Sequence, residues 1–285
     1  MEQKPSLASA TRFIVREGRL LERRVLASLF EGENPAGAVR ALAAYANEDG
    51  GFGHGLEPDK RAPTSQPLDV EVAFQVMELL GRVDEAMVDA ACDFLQTLGD
   101  GVGCLVPGAL AFPRAPHWGE WALGPSLNPT AGLAAYLWRV QADHPWRDRA
   151  TEFCWRELED GLPVEAHSFG EVLSFLDAVG DRRRAESMMG AVPEALAALE
   201  LFHLEPSADG YGVTPLHYAP SPASRWIGLF EPELIDRHLD ALAASQCEDG
   251  GWPISWETIG PAAVQDCRAV ETLRALRTLR AFGRL

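Results

Sequence analysis

The stretch GHGLEPDKRAPTSQPLD (Gly53 to Asp69) packs His54, Glu57, Asp59, Lys60, Arg61 and Asp69 into 17 residues behind a glycine-rich turn. It is longer than the ~2–8 residues of a simple helix–helix connection, and long ordered loops on a rigid frame are where function concentrates. Pro58 holds the chain extended between Glu57 and Asp59, so that alternate side chains share a face. Two carboxylates brought close push one pKa upward and make a proton donor at neutral pH. That is the chemistry needed to protonate an alkene, an epoxide or a hydroxyl leaving group. The same residues also read as a solvated acidic loop, or with Asp59 paired to Arg61. His54 suits a hydrogen bond to either carboxylate, or a structural role alone. Asp59, Glu57 and His54 are therefore the candidate catalytic set.

A second group is aromatic. PHWGEWALGPS (Pro116 to Ser126) places Trp118 and Trp121 outside the regular helical patterns, Trp256 follows the last glycine-rich turn, and Tyr211, Tyr218 and Trp226 lie in a proline-rich stretch. Loop aromatics line apolar cavities, and their π faces stabilise cations; they also serve as ordinary lid packing. Asp69 and Asp266 precede predicted helices, where a carboxylate either caps the helix or faces a cavity. With Trp252, described below, the candidate substrate-binding set is Asp69, Trp118, Trp121, Trp252, Trp256 and Asp266.

Composition narrows the substrates. The chain has 285 residues, 47% of them hydrophobic and 24% charged, and a net charge of −17. This excludes wholesale disorder. A field of that sign repels phosphate, which argues against nucleic acid as a partner and requires Mg²⁺ or a basic pocket for any diphosphate. A neutral substrate is favoured over a diphosphate. No apolar run approaches the ~20 residues that span a bilayer, and the N-terminus lacks a secretory apolar core, so the expected location is the cytoplasm. Cys92, Cys104, Cys154, Cys247 and Cys267 are dispersed, without a C-x-x-C pair, and read as free thiols with no metal site.

The elements that must carry these residues repeat. YANEDGGFGHG (Tyr45 to Gly55) and SQCEDGGWPIS (Ser245 to Ser255) share an acidic Asp-Gly-Gly turn followed by an aromatic, with echoes in LGDGVGC (Leu98 to Cys104) and SADGYGV (Ser207 to Val213). The glycine pair permits positive φ at a helix C-terminus. The aromatic that follows, Phe52 or Trp252, swings back between hairpins and buries ~150–250 Å² as a wedge. Ala36, Val39, Leu42, Ala43 and Ala46 mark a one-faced helix, as do Ile235, Leu239, Leu242 and Ala243. LAAYLWRV (Leu133 to Val140), FGEVLSFLDAV (Phe169 to Val179) and, nearly, LDVEVAFQVMELL (Leu68 to Leu80) are apolar all round. Alternation of these kinds fits inner helices wrapped by outer ones.

Five hairpins follow, pairing 35–47 with 65–82, 84–98 with 126–141, 145–160 with 164–180, 181–201 with a segment near 213–229, and 231–246 with 263–282. An opening helix spans 8–30. Pro206, Pro215, Pro220 and Pro222 weaken the fourth pair. The arginines of the last helix (Arg268, Arg274, Arg277, Arg280, Arg284) suit either a seam or a surface helix.

QCEDGGW (Gln246 to Trp252) resembles the repeat of squalene-hopene cyclases, and NEDGGFG (Asn47 to Gly53) resembles the Gly-Gly-Phe-Gly turns of protein prenyltransferase β-subunits. Ser65-Gln66 and Gln265-Asp266 are similar to the openings of inner helices there. The resemblance implies the terpenoid cyclase and protein prenyltransferase α/α toroid: an all-α double ring of about five to six helical hairpins, here one domain over 1–285. It implies an enzyme acting without cofactor on a small hydrophobic, isoprenoid-like substrate in a central cavity, by acid-initiated carbocation chemistry of the lyase or isomerase kind. The chain departs from the family patterns, with no D-x-D-D acid motif, no Asp…Cys…His zinc set and no aspartate-rich Mg²⁺ motif. His54-Gly55 is faintly similar to zinc-binding lanthionine cyclases, but no paired cysteines accompany it. A non-catalytic binding scaffold and a carbohydrate-active toroid with paired carboxylates remain the competing classes.

Overall fold

The computed structural model describes residues 5–206 and 210–285. Among them the regular elements are helical, and the extended pairings are isolated bridges. The all-α expectation holds. No helix among the described residues is long and apolar enough to cross a membrane. The chain divides into two compact units, one of Met1–Ala38 with Leu201–Leu285, the other of Val39–Glu200.

In the first unit, α1 (Leu7–Glu17) and α2 (Leu20–Phe30) replace the single opening helix expected over 8–30. The chain turns extended at Gly18, whose N–H still closes α1 on Ile14 O at 2.9 Å. α3 (Ala36–Leu42) crosses the division between units.

The second unit continues with α4 (Pro67–Leu79), α5 (Glu85–Leu98), α6 (Leu127–Arg139), α7 (Pro145–Glu157), α8 (Ala166–Ala178), α9 (Arg182–Met188) and α10 (Val192–Ala197). Helix starts follow local chemistry. Asp84 and Asp181 accept from Met87 N and Arg184 N, and Pro67 and Pro145 open α4 and α7, where a missing N–H costs nothing.

The first unit closes with α11 (Pro215–Tyr218), α12 (Pro232–Ala244) and α13 (Pro261–Ala281). The fourth expected hairpin is thus the most altered. Its return strand of chain yields only α11 and a 3-10 turn at Arg225–Leu229, because its prolines remove donors and clash with helix continuation.

Within Val39–Glu200 the alternation read from the sequence is visible. α6 packs against α4, α7 and α8, while α5 packs against α7. α6 is buried continuously from Pro129 to Leu137. Phe74 of α4 stacks on Tyr136 of α6 with centroids 4.4 Å apart, and Trp155 of α7 meets Phe175 of α8 edge-on at 4.9 Å. In the other unit α13 packs against α1, α2 and α12. Its arginines find partners: Arg268 with Asp249, Arg284 with Asp236 and Asp240, and Arg280 with Leu29 O.

The two strong repeats share one hydrogen-bond pattern. Asn47 N donates to Gly51 O and Gly50 N to Asn47 O (2.9 and 3.1 Å); Cys247 N donates to Gly251 O and Gly250 N to Cys247 O (both 2.9 Å). Gly50 and Gly250 have φ of +87° and +96°, and each lies against a helix carbonyl, Ala90 O in α5 and Ser9 O in α1, leaving no room for a Cβ. The acid of each turn then ties down the following helix. Asp49 accepts from Ser65 Oγ at 2.6 Å, and Asp249 takes a two-pronged bond from Arg268 at 2.8 Å. In the first echo Gly101 lies against the Phe153 ring of α7, as Gly51 lies against Phe94 and Gly251 against Phe13. The second begins at residues 207–209, which lie outside those described.

Candidate active site

The long loop is built as expected around its charged residues, but with different partners. All its members lie in the Val39–Glu200 unit. Asp59 is buried, and its carboxylate accepts from Trp118 Nε1 at 2.6 Å and pairs with His117 Nε2 at 3.1 Å. Arg61 Nη1 donates to Pro58 O at 2.6 Å, so the geometry pairs Asp59 with the Trp118 segment. Further bonds clamp that segment to the loop: Ala115 N to Asp59 O (2.7 Å), Arg61 N to Pro113 O (2.9 Å) and Val106 N to the buried Gln66 Oε1 (2.8 Å). Trp118 stacks on Trp121 at 5.5 Å, and Trp121 is 62% exposed.

Beneath this clamp Lys60 Nζ meets Asp69 Oδ1 at 2.6 Å, with both side chains essentially inaccessible. Asp69 Oδ1 also accepts from Glu57 N at 2.7 Å. Asp69 sits in the first turn of α4 and anchors the loop to that helix. A buried pair of this kind contributes little net stability while intact, but each partner is costly to strand. His54, at φ +57°, is exposed, and its Nε2 bonds Asn47 Oδ1 at 2.9 Å. It belongs to the turn.

Two residues further along α4 stands Glu71, buried to 5% exposure, and across α6 stands Glu171 of α8. Gly132 of α6 makes the meeting possible, because a Cβ there would overlap Glu71 Oε1 and Glu171 Oε2 together. Burial, the charge of Glu171, a hydrogen bond with Glu171 and the charge of Glu57 hold the Glu71 carboxyl well above the usual range. Burial raises Glu171 too, while the bond from Glu71, Arg139 and His167 pull it back. With both carboxyls crowded over Gly132, two like charges at that distance are costly, and the pair favours holding a proton. Glu71 Oε1 has no hydrogen-bond partner among the described residues. Nearby Cys104 has its thiol pushed far up by burial and then by Glu71, Glu171 and Glu165, so it is no nucleophile.

The remaining candidates lie in the other unit. Trp252 is a wedge at 2% exposure, its Nε1 donating to Leu242 O at 2.8 Å and its N to Thr272 Oγ1 at 3.0 Å. Trp256 is half-buried and packs edge-on against Tyr211 at 5.6 Å. The expectation that Asp266 precedes the last helix is corrected: α13 begins at Pro261 with Gly260 as its cap, which places Asp266 in the second turn. Proline at the first helical position started that helix earlier than the polar pattern suggested.

Sequence reasoning missed Glu71, Glu171 and Gly132. Their signal was present, since each glutamate interrupts a helix otherwise apolar on nearly every face, and buried ionisable groups seldom occur without reason. Compared with family models, with characterised proteins and with solved structures, the chain matches none.

Proposed function

We propose that the protein is an enzyme that protonates a small, neutral, hydrophobic substrate of isoprenoid type, with Glu71 as the acid and Glu171 as the carboxylate that keeps the proton on it. The observation that carries this reading is the close approach of the Glu71 and Glu171 carboxyls over Gly132, where burial raises both. A carboxyl kept protonated at neutral pH by burial and a like charge is what acid-initiated chemistry requires. Asp59 holds Trp118 and the Lys60–Asp69 pair fastens the loop to α4, and Glu57 adds charge that raises Glu71. The helical alternation in Val39–Glu200 and the common geometry of the two strong turns support an α/α-toroid-like hairpin array as the scaffold. The net charge of −17 favours a neutral substrate over a diphosphate.

The carbohydrate reading is weaker on the same geometry. Glycoside hydrolysis places its two carboxyls roughly 5–10 Å apart with the sugar between them, whereas the Glu71 and Glu171 carboxyls crowd the one space that a Cβ on Gly132 would fill.

The test is incubation with acyclic terpenoid alkenes and epoxides in D₂O, followed by mass spectrometry. The expected product is an isomer of the substrate carrying one deuterium at carbon. Glu71→Gln is expected to slow its formation about 10²–10⁴-fold. Turnover without deuterium at carbon, or undiminished turnover by the variant, contradicts the proposal.

A further inference from the structure

An acid that gives up its proton must recover one before the next turnover, and Glu71 is buried. The first two turns of α8 hold the groups suited to that task. Glu165 caps α8, accepting from His167 N (3.0 Å), Ser168 N (2.8 Å), Ser168 Oγ (2.9 Å) and His167 Nδ1 (2.5 Å). Four donors fix one carboxylate, which fixes the imidazole in turn. His167 lies four residues before Glu171, on the same helix face and one turn away. Its side chain is 36% exposed, so it touches water, and its charge acts on Glu171. The charges acting on Glu171 include those of Arg139, His167 and Glu165. Arg139 is already engaged by Glu78 and by Ser174 Oγ, and as a guanidinium it does not give up a proton. His167 is the group in this set able to exchange one near neutral pH.

We propose that His167 is the proton inlet of the Glu71–Glu171 pair, with Glu165 as the residue that positions it. The inference rests on the reading of that pair as the working acid. Glu71 transfers its proton to substrate, leaving two carboxylates. The His167 imidazolium then gives a proton to the pair and becomes neutral imidazole. The imidazole takes its replacement from hydronium or a buffer acid at the surface. The substrate cation loses a proton to water to give the isomer, so one proton enters through His167 and one leaves to solvent per cycle, and no electrons move. Burial by itself would raise Glu165, but the His167 imidazole and the N–H groups of His167 and Ser168 outweigh it and bring that carboxyl down to about 2. Glu165 therefore stays ionised and serves as an anchor.

The pair can be watched without a substrate. A protonated carboxyl has its own infrared C=O stretch, which shifts when its proton exchanges for deuterium. The full-length protein is expected to show such a band, lost in Glu71→Gln. In His167→Gln the band should remain while its exchange slows at least about tenfold, and added imidazole should restore the rate. Glu165→Gln should slow it less. A band present in His167→Gln but exchanging at the wild-type rate, or slowed without rescue by imidazole, overturns the inlet and leaves the acid pair standing. Absence of any band that Glu71→Gln removes overturns the acid pair itself, and the inlet with it.

Discussion

At the scale of single residues, the site depends on what is missing from Gly132 as much as on what Glu71 and Glu171 supply. A methyl group there meets both carboxyls. Gly132→Ala should therefore lower stability by about 1–3 kcal/mol through overpacking, despite alanine's better helix propensity, and should abolish the protonated carboxyl. Thermal unfolding with infrared detection reads both effects. The pH dependence has a definite sign. Glu71 binds its proton more tightly when folded, so between the unfolded value of about 4.3 and the raised folded one the native state holds the extra proton. Stability falls as pH rises through that window. Glu71→Gln should flatten this fall in a pH series of melting temperatures; an unchanged slope would show that Glu71 is not the group responsible. Glu165 acts in the opposite sense. Its stabilisation is present above the ordinary glutamate range and is lost as pH drops towards about 2. Lys60→Met leaves Asp69 buried without its cation and should cost about 3–5 kcal/mol in denaturant titration.

At the scale of elements, the glycine-hinged turns are where sequence and structure correspond most closely. Gln246 takes Ser6 N at 2.7 Å and gives its amide to Ser6 O and Gly250 O at 3.0 and 2.9 Å, so one side chain fastens the start of α1 to the turn. Gln246→Ala should cost about 1–3 kcal/mol, and Trp252→Ala about 3–5 kcal/mol, both measurable by chemical denaturation. The local chemistry of Asp249-Gly250-Gly251 and Asp49-Gly50-Gly51 was legible because it is set by φ, by one acid and by one aromatic. The alternation of α4 to α8 was legible from apolar periodicity. The loop 53–69 was found as a polar locus, yet the pairing of Glu57 with Asp59 as acid was a guess about side-chain direction. The structure sends Asp59 to Trp118 and His117, a contact between segments 59 residues apart that spacing cannot reveal. Glu71 and Glu171 escaped for the same reason. Each marks its apolar helix as unusual, but they meet only through the packing of three helices, which spacing does not reveal.

At the scale of the molecule, Val39–Glu200 is a contiguous stretch that contains the carboxyl pair, its loop and its histidine. Expressed alone it should unfold cooperatively with helical circular dichroism, as expected of a unit with its own core; a non-cooperative melt would contradict its autonomy. In the proposed function one glutamic acid of that unit stays protonated at neutral pH because a second carboxyl crowds it. Carbon-13 NMR of side-chain carboxyls in glutamate-labelled protein, followed across pH with Glu71→Gln for assignment, measures this directly. The account predicts one resonance, missing in the variant, that keeps the shift of a protonated carboxyl at pH 7. Complete titration of every glutamate near pH 4 to 5, the ordinary range, would contradict it.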